Sequence, residues 1–600
     1  MSAHRMPFGA DLMDDGVRFQ LWAPSAQQVE LVLNDRVHGT QTLEGGWREA
    51  IVSGAAAGDR YQYRINGELL VPDPASRAQV QDVHGPSLVV DPAAYAWEHT
   101  DWRGRPWHET VLYETHIGTF TADGSFDALR TKLDHLVDLG VTALELMPVA
   151  DFSGQRSWGY DGVLPFAPDR AYGTPDDLKR LIDAAHGHGL MVFLDVVYNH
   201  FGPDGNYLHA YAESFFDAET HTPWGAAIDF TQRPVRDFFI ANALYWLNEY
   251  RIDGLRLDAV HAIADVGASD TDEPFLPELA RTVRAGVEPD RHIHLVLEND
   301  HNAAHLLRRT DGRPRHYEAQ WNDDIHHVLH RMVTNETDGY YGDYAEQPGR
   351  LLARCLSEGF AYQGEPSAHR DGARRGEGSG DLPPDAFVAF LQNHDQVGNR
   401  AHGERITDGT APEAVQAATA LYLLSPQIPL IWMGEEWAAT SPFPFFCDFH
   451  GDLAEAVREG RRREFARFKK FADPEARRSI PDPNATRTFA LAKLTWQELM
   501  DPAHAERLAW FRQLLALRRA HVLPLVRSGT PETSAAWNGL AVSVAYHFPA
   551  GRLHLIANLG DGAAHLPAAK QEGQTLFATH PGLTPDHLPP YCFAAAVGEA

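Results

Sequence analysis

Three acids stand where short apolar runs end. Asp258 closes Arg251-Ile-Asp-Gly-Leu-Arg-Leu-Asp258, Glu298 closes Leu295-Val-Leu-Glu298, and Asp395 follows Phe390-Leu-Gln-Asn-His394. In an extended strand, side chains two apart share a face, so Gly254, Arg256 and Asp258 point one way and Leu255 and Leu257 the other. An Arg beside an Asp on a core wall must pair, and the pairing keeps the carboxylate ionised and able to attack. Glu298 emerges from Val296 and Leu297 with no adjacent cation, so desolvation would raise its pKa and keep its proton. One carboxyl to attack carbon and one to protonate a leaving oxygen is what glycoside hydrolysis requires. Arg256 and Asp258 alone could equally be a structural ion pair, so the rest of the chain decides.

Similar groups gather at other run ends. Asp195 and His200 lie at the end of the run 191–197, His394 precedes Asp395, and His261 lies three residues past Asp258. Trp158 and Tyr160 follow the run 142–147. Aromatic faces stack on sugar rings, and His and Asp side chains hydrogen-bond hydroxyls, which suits a carbohydrate cleft. Each is more often structural when taken singly; their coincidence points to one site.

The elements that must carry these groups read as a barrel between two β domains. Residues 1–95 alternate at 16–22, 29–33 and 61–65, with Asn66-Gly67 as a hairpin signal, and predict a small β-sandwich. Apolar runs at 111–114, 142–147, 191–197, 252–258, 293–298, 316–321, 387–392 and 428–433 predict eight strands, with helical windows such as 126–139, 175–188 and 235–250 between them. Alternating β and α units call for a parallel sheet, and eight of them within 96–520 predict a TIM (β/α)8 barrel. The long connections 150–174 and 198–230 would overhang its C-terminal mouth, where barrel active sites form. The Gly/Arg-rich stretch 364–384 reads as a mobile loop. Alternation at 541–547 and 553–559 predicts a C-terminal antiparallel β domain over 521–600.

Composition narrows the partners. A net charge of −30 repels nucleic acid and anionic membranes, and a neutral sugar fits better. No basic segment precedes an apolar one at the start, and no window reaches the roughly 18 apolar residues of a membrane span, which predicts a soluble cytoplasmic protein. Cys355, Cys447 and Cys592 show no metal-type spacing, and an odd count argues against a disulfide framework. The pairs His292 and His294, His301 and His305, and His326 and His327 lack a third ligand, so no metal is expected. No phosphate-cradling glycine motif occurs, so no nucleotide or other cofactor is implied.

Asp195-Val-Val-Tyr-Asn-His200, Gly254-Leu-Arg-Leu-Asp258, Glu298 and Asn393-His-Asp395, in this order, resemble the four signature regions of the α-amylase superfamily, glycoside hydrolase family 13. The resemblance implies Asp258 as nucleophile, Glu298 as acid/base and Asp395 as a transition-state stabiliser gripping sugar hydroxyls. Arg256, His200 and His394 would support them, and Tyr160 would stack under the cleaved glucose. Some relatives hold calcium near the position of Asn199. The stretches 71–77, 84–87, 113–120, 320–327, 433–437 and 456–462 are similar to members that release a terminal trehalose from maltooligosyltrehalose, and the pattern departs at Cys447-Asp-Phe-His450. A glycogen branching enzyme, which hands the same intermediate to a sugar hydroxyl, is the alternative, as is a glucan-binding protein that has lost the chemistry. For the trehalose side, Trp224 and the segment Trp321-Asn-Asp-Asp324 pair aromatic faces with hydroxyl-binding groups and are expected to line the pocket.

Overall fold

The computed structural model describes residues 4–222, 225–263, 273–467, 471, 473–567 and 573–599. The N-terminal part consists of two antiparallel sheets. One holds Gly9–Met13, Gly16–Trp22 and Trp47–Val52, and the other Val29–Leu33, Arg60–Ile65 and Leu69–Val71. Alternate residues of Val29–Leu33 and Arg60–Ile65 are buried, as a sheet with one covered face requires. Asn66 and Gly67 both have positive φ, so this dipeptide makes the tight turn between paired strands. Arg77 anchors the module to the barrel: it reaches the Ala10 carbonyl at 3.0 Å and pairs with buried Glu249 at 3.3 Å, just past the helix Arg233–Asn248.

Eight parallel strands form the barrel: β1 (Leu112–Thr115), β2 (Ala143–Leu146), β3 (Met191–Val196), β4 (Gly254–Leu257), β5 (His294–Leu297), β6 (Ala319–Trp321), β7 (Phe387–Ala389) and β8 (Ile428–Trp432). They pair in chain order, and β8 closes on β1 with Leu430 opposite Leu112. Every residue in them is buried, which explains why the sequence runs are continuously apolar rather than alternating. Inward-facing Met191, Phe193, Val296, Trp321, Phe390 and Leu430 pack as one interior cluster. Gly254 belongs to this packing: a Cβ there would stand 2.1 Å from the Phe193 ring, so only glycine lets that ring cross the barrel. The outer helices are begun by local signals. Pro175–Gly187 opens with Pro at its first position and a reciprocal Thr174–Asp177 capping box.

The segment 364–384 corrects an expectation. It is not a free loop: Glu365–Pro366 and Arg374–Arg375 pair, and Arg375 is buried against Asp324 at 2.9 Å and the Asp300 carbonyl at 2.9 Å. These ion pairs bring it over the C-terminal mouth as a cleft wall. The C-terminal sheet orders Glu532–Asn538, Ala541–Phe548, Gly551–Asn558, Cys592–Gly598 and Gln574–Ala578, all antiparallel. Tyr546 ties it to the barrel by donating to the Leu356 carbonyl at 2.8 Å. Among the described residues no helix is long and apolar enough to cross a membrane, and the three cysteines are buried and free.

Candidate active site

The site is built on one guanidinium. Arg256 points inward from β4, is fully buried, and lies 4.1 Å above the Trp321 ring. Its Nη1 donates to Asp195 at 2.7 Å and to Asp258 at 2.7 Å, while Nη2 stands 3.9 Å from Glu298. The second Asp258 oxygen accepts from the Asn199 amide at 3.1 Å, so both oxygens are acceptors, the bonding pattern of an ionised carboxylate. Directly after Asp258 the chain enters the left-handed region at Ala259, with φ 40°. That conformation is costly for a residue with a Cβ, by about 1–3 kcal/mol. Here it turns the Ala259 N–H onto the Glu298 carboxyl at 2.6 Å.

Glu298 is pushed towards its neutral form. Burial pushes its pKa well above the usual carboxyl range; Arg256 opposes this only in part, and Asp258, Asp323 and Asp395 add to it. Asp195 is pushed up to about 6 by burial, against Arg256, and accepts from the Tyr160 hydroxyl at 2.5 Å. Tyr160 in turn stacks on His394, with ring centroids 5.0 Å apart. Asp395 is the more open acid, its side chain 41% exposed and accepting from Asn399 at 3.2 Å. Asn393 caps the short helix His394–Gly398 and fixes the direction in which Asp395 leaves it.

Asp258, Glu298, Asp395, Tyr160, His200, His261 and His394 line one cleft of about 620 Å³, with Asp195 and Arg256 directly beneath it. His200 and His261 are both driven towards the neutral form by burial, which leaves imidazoles suited to hydrogen bonding with hydroxyls. The cleft is wide enough for several sugar contacts, and its polar groups converge on the three acids.

Two expected pocket residues do not reach it, and a third lies outside the described residues. Trp321 is 1% exposed because its position on β6 faces the barrel interior, where it floors Arg256. Asp324 is fully buried and accepts from Asn302 at 2.9 Å, Ala361 at 2.8 Å, Tyr362 at 3.0 Å and Arg375. Its neighbour Asp323, about 100° away around the helix Asp323–Thr334, takes the cleft position instead. Trp224 is the residue outside the described ones. Asp324→Ala should therefore lower stability by about 3–5 kcal/mol, since it leaves Arg375 buried without this partner. Thermal unfolding with assays on two substrates checks this; unchanged melting with loss on one substrate only would return Asp324 to the cleft.

Some relatives hold calcium near the position of Asn199; here both ends of that side chain are engaged within the site. Its side-chain nitrogen is turned to Asp258 and its oxygen to His200, and among the described residues no group of three acids, histidines or cysteines could hold a metal. No step below passes through a metal.

Sequence reading passed over Glu114, Glu145 and the wall carrying Tyr340, Tyr344 and Arg370, and named His327 there only as half of a candidate metal pair. Glu114 carried the signal used for the other acids, since it lies at the end of the first apolar run. The wall had none, because its place depends on Arg370 and Arg375 pairing with Asp300 from another loop.

Comparison with known proteins agrees with this architecture. The family description "alpha amylase, catalytic domain" matches residues 100–244, "carbohydrate-binding module 48 (isoamylase N-terminal domain)" matches 7–92, and a domain of unknown function matches 532–594. A Salmonella typhimurium crystal structure described as a candidate alpha amylase superposes with a TM-score of 0.94 and 44% identity, covering 99% of this chain and 100% of that one. The chain is a glycoside hydrolase of the α-amylase family. The malto-oligosyltrehalose trehalohydrolase of Deinococcus radiodurans is 40% identical over 86% of this chain and 83% of its own length. That of Saccharolobus solfataricus is 37% identical over 89% and 90%. Within the α-amylase family, the chain belongs to the malto-oligosyltrehalose trehalohydrolases.

Proposed function

We propose that the enzyme hydrolyses, with retention, the α-1,4 bond next to the terminal trehalose of maltooligosyltrehalose, releasing trehalose and a maltooligosaccharide. The observation that carries it is Asp258 clamped by Arg256 beside a largely enclosed Glu298 whose pKa is pushed well up, in a chain similar over most of its length to proteins named trehalohydrolases. Asp258 attacks the anomeric carbon as the C–O bond breaks, and the Glu298 proton goes to the departing trehalose oxygen. Glu298, now a carboxylate, takes a proton from water, whose oxygen displaces Asp258 and restores both groups. Retention places the two carboxyls about 5–5.5 Å apart. Asp395 and His394 grip hydroxyls of the reacting glucose, Tyr160 packs beneath it, and His200 contacts its rim.

An acid must lie on the leaving side of the bond it cleaves. The wall next to Glu298, with His261, Asp300, Asp323 and Arg370, is therefore assigned to the trehalose unit. The division into 1–95, 96–520 and 521–600 goes with this reading, the outer parts buttressing the barrel. Three buried free cysteines fit a reducing compartment and a cytoplasmic enzyme, and the acidic chain fits a neutral glucan rather than nucleic acid.

The test offers a trehalose-capped maltooligosaccharide beside its uncapped counterpart and identifies the products. Trehalose should be the main small sugar, and the capped substrate should be preferred. New α-1,6 linkages would make the enzyme a branching transferase, and maltose from both substrates at equal rates would make it an amylase.

A further inference from the structure

We propose that Glu114 is a positioning residue that holds His394 as a fixed imidazolium beside Asp395. Glu114 ends inward-facing on β1 and is 1% exposed. One of its oxygens accepts the His394 backbone N–H at 3.0 Å, and the other meets the His394 Nδ1. A carboxylate grips backbone and ring of one residue at once, so it sets both the start of the helix His394–Gly398 and the ring plane. Tyr160 covers one ring face, and Trp158 packs edge-on at 5.8 Å. The remaining nitrogen, Nε2, lies 3.4 Å from the Asp395 carboxylate.

This arrangement places a carboxylate oxygen at each ring nitrogen. A neutral imidazole has one bare lone pair, which would face a negative oxygen on whichever side it fell; only the doubly protonated ring satisfies both. The other charged and titratable groups around the ring are Glu145 on β2, Asp195 on β3, Arg256 on β4 and His116 after β1. Glu145 is driven towards its neutral form: both its oxygens are buried without a partner, and burial with Glu114 and Asp195 nearby pushes its pKa well up. Asp195 is spent on Arg256, and burial takes His116 down to about 3, so it stays neutral. For His394 burial works against the charge, but Asp395 and Glu114 together outweigh it and Arg256, lifting the ring to about 9.

The consequence is a charged donor at Nε2 near neutral pH, aimed where Asp395 meets substrate. The grip of Asp395 on sugar hydroxyls rests on the proposed function; the charge on His394 does not. The experiment separates the two. The ring carbon resonance of His394, assigned by its loss in His394→Gln, is followed against pH in the wild-type enzyme and in Glu114→Gln. The glutamine can still accept the backbone N–H while its amide nitrogen donates to Nδ1, which favours a ring that keeps one proton, on Nε2, and loses its charge.

The wild-type ring should remain doubly protonated at pH 8, and in Glu114→Gln its midpoint should fall by about one unit or more. Turnover at pH 8 should drop about ten- to a hundredfold, the worth of a hydrogen bond to a charged group, with KM little changed and a smaller loss at pH 6. A merely structural glutamate would give a loss independent of pH and an unmoved midpoint, and either result overturns the proposal. Should the variant not fold, the wild-type titration decides alone: a ring neutral at pH 8 refutes a fixed imidazolium, and a charged one sustains it. A charged ring in an enzyme that releases no trehalose would leave this inference standing and sink the substrate assignment.

Discussion

Asp258→Asn should reduce turnover by about 10⁴-fold or more while leaving a folded protein. The loss follows from chemistry: an amide oxygen cannot displace a sugar oxygen to form the glycosyl ester on which retention depends. Survival of the fold follows from the geometry around Arg256. That guanidinium keeps Asp195 at 2.7 Å and the Trp321 face at 4.1 Å, so its burial stays compensated after one anionic partner becomes neutral. The amide still offers an oxygen to Arg256, although its nitrogen then opposes the Asn199 nitrogen that now donates to Asp258. A stability loss of about 1–3 kcal/mol is expected from that one mismatched contact. Steady-state turnover and thermal unfolding, measured on one preparation, check both halves. Turnover within tenfold of wild type would remove Asp258 as the nucleophile, and an unfolded variant would make Arg256 and Asp258 chiefly a structural pair.

The acids were legible because barrel geometry does the gathering. Once eight apolar runs are recognised, the ends of β4, β5 and β7 must reach one rim, and Asp258, Glu298 and Asp395 with them. Arg256 was legible from strand parity, since an Arg two residues before an Asp shares its face. Trp321 obeys the same parity but sits one layer lower, and run composition does not say at which depth an inward side chain ends. Asp323 and Asp324 differ by one helical position; choosing between them needs the helix start fixed to a single residue, and Asn322 leaves the strand without a side-chain cap to mark it. Glu114 is an acid at a run end like the others, yet its meaning comes from His394, 280 positions away. The cleft wall at 364–384 looked like loop by composition because its order comes from Asp300 and Asp324, outside its own sequence.

Glu298→Gln should lose about 10²- to 10⁴-fold in turnover on an oligosaccharide, the usual worth of a positioned acid, and should gain stability at alkaline pH. The sign of the second effect comes from linkage. The folded-state pKa of Glu298 is raised above its unfolded value of about 4.5, so above that pH the unfolded chain releases a proton that the folded one keeps. Stability contributed by this group is therefore fully present below pH 4.5 and lost as pH rises through the folded value. Glutamine has no proton to lose, so the variant should melt above the wild type at pH 8, the difference closing towards pH 4. A like difference at both pH values would remove the raised carboxyl pKa of Glu298. Activity carries its own discriminating test, because a leaving group that departs without a proton makes the acid dispensable. With a glycosyl fluoride, Glu298→Gln should still form the glycosyl ester on Asp258, but without the base that activates water it should stall there. Mass spectrometry should find the sugar attached to the peptide carrying Asp258 in the variant and not in the wild type. Equal loss with fluoride and sugar leaving groups, and no trapped ester, would take both the acid and the base role from Glu298.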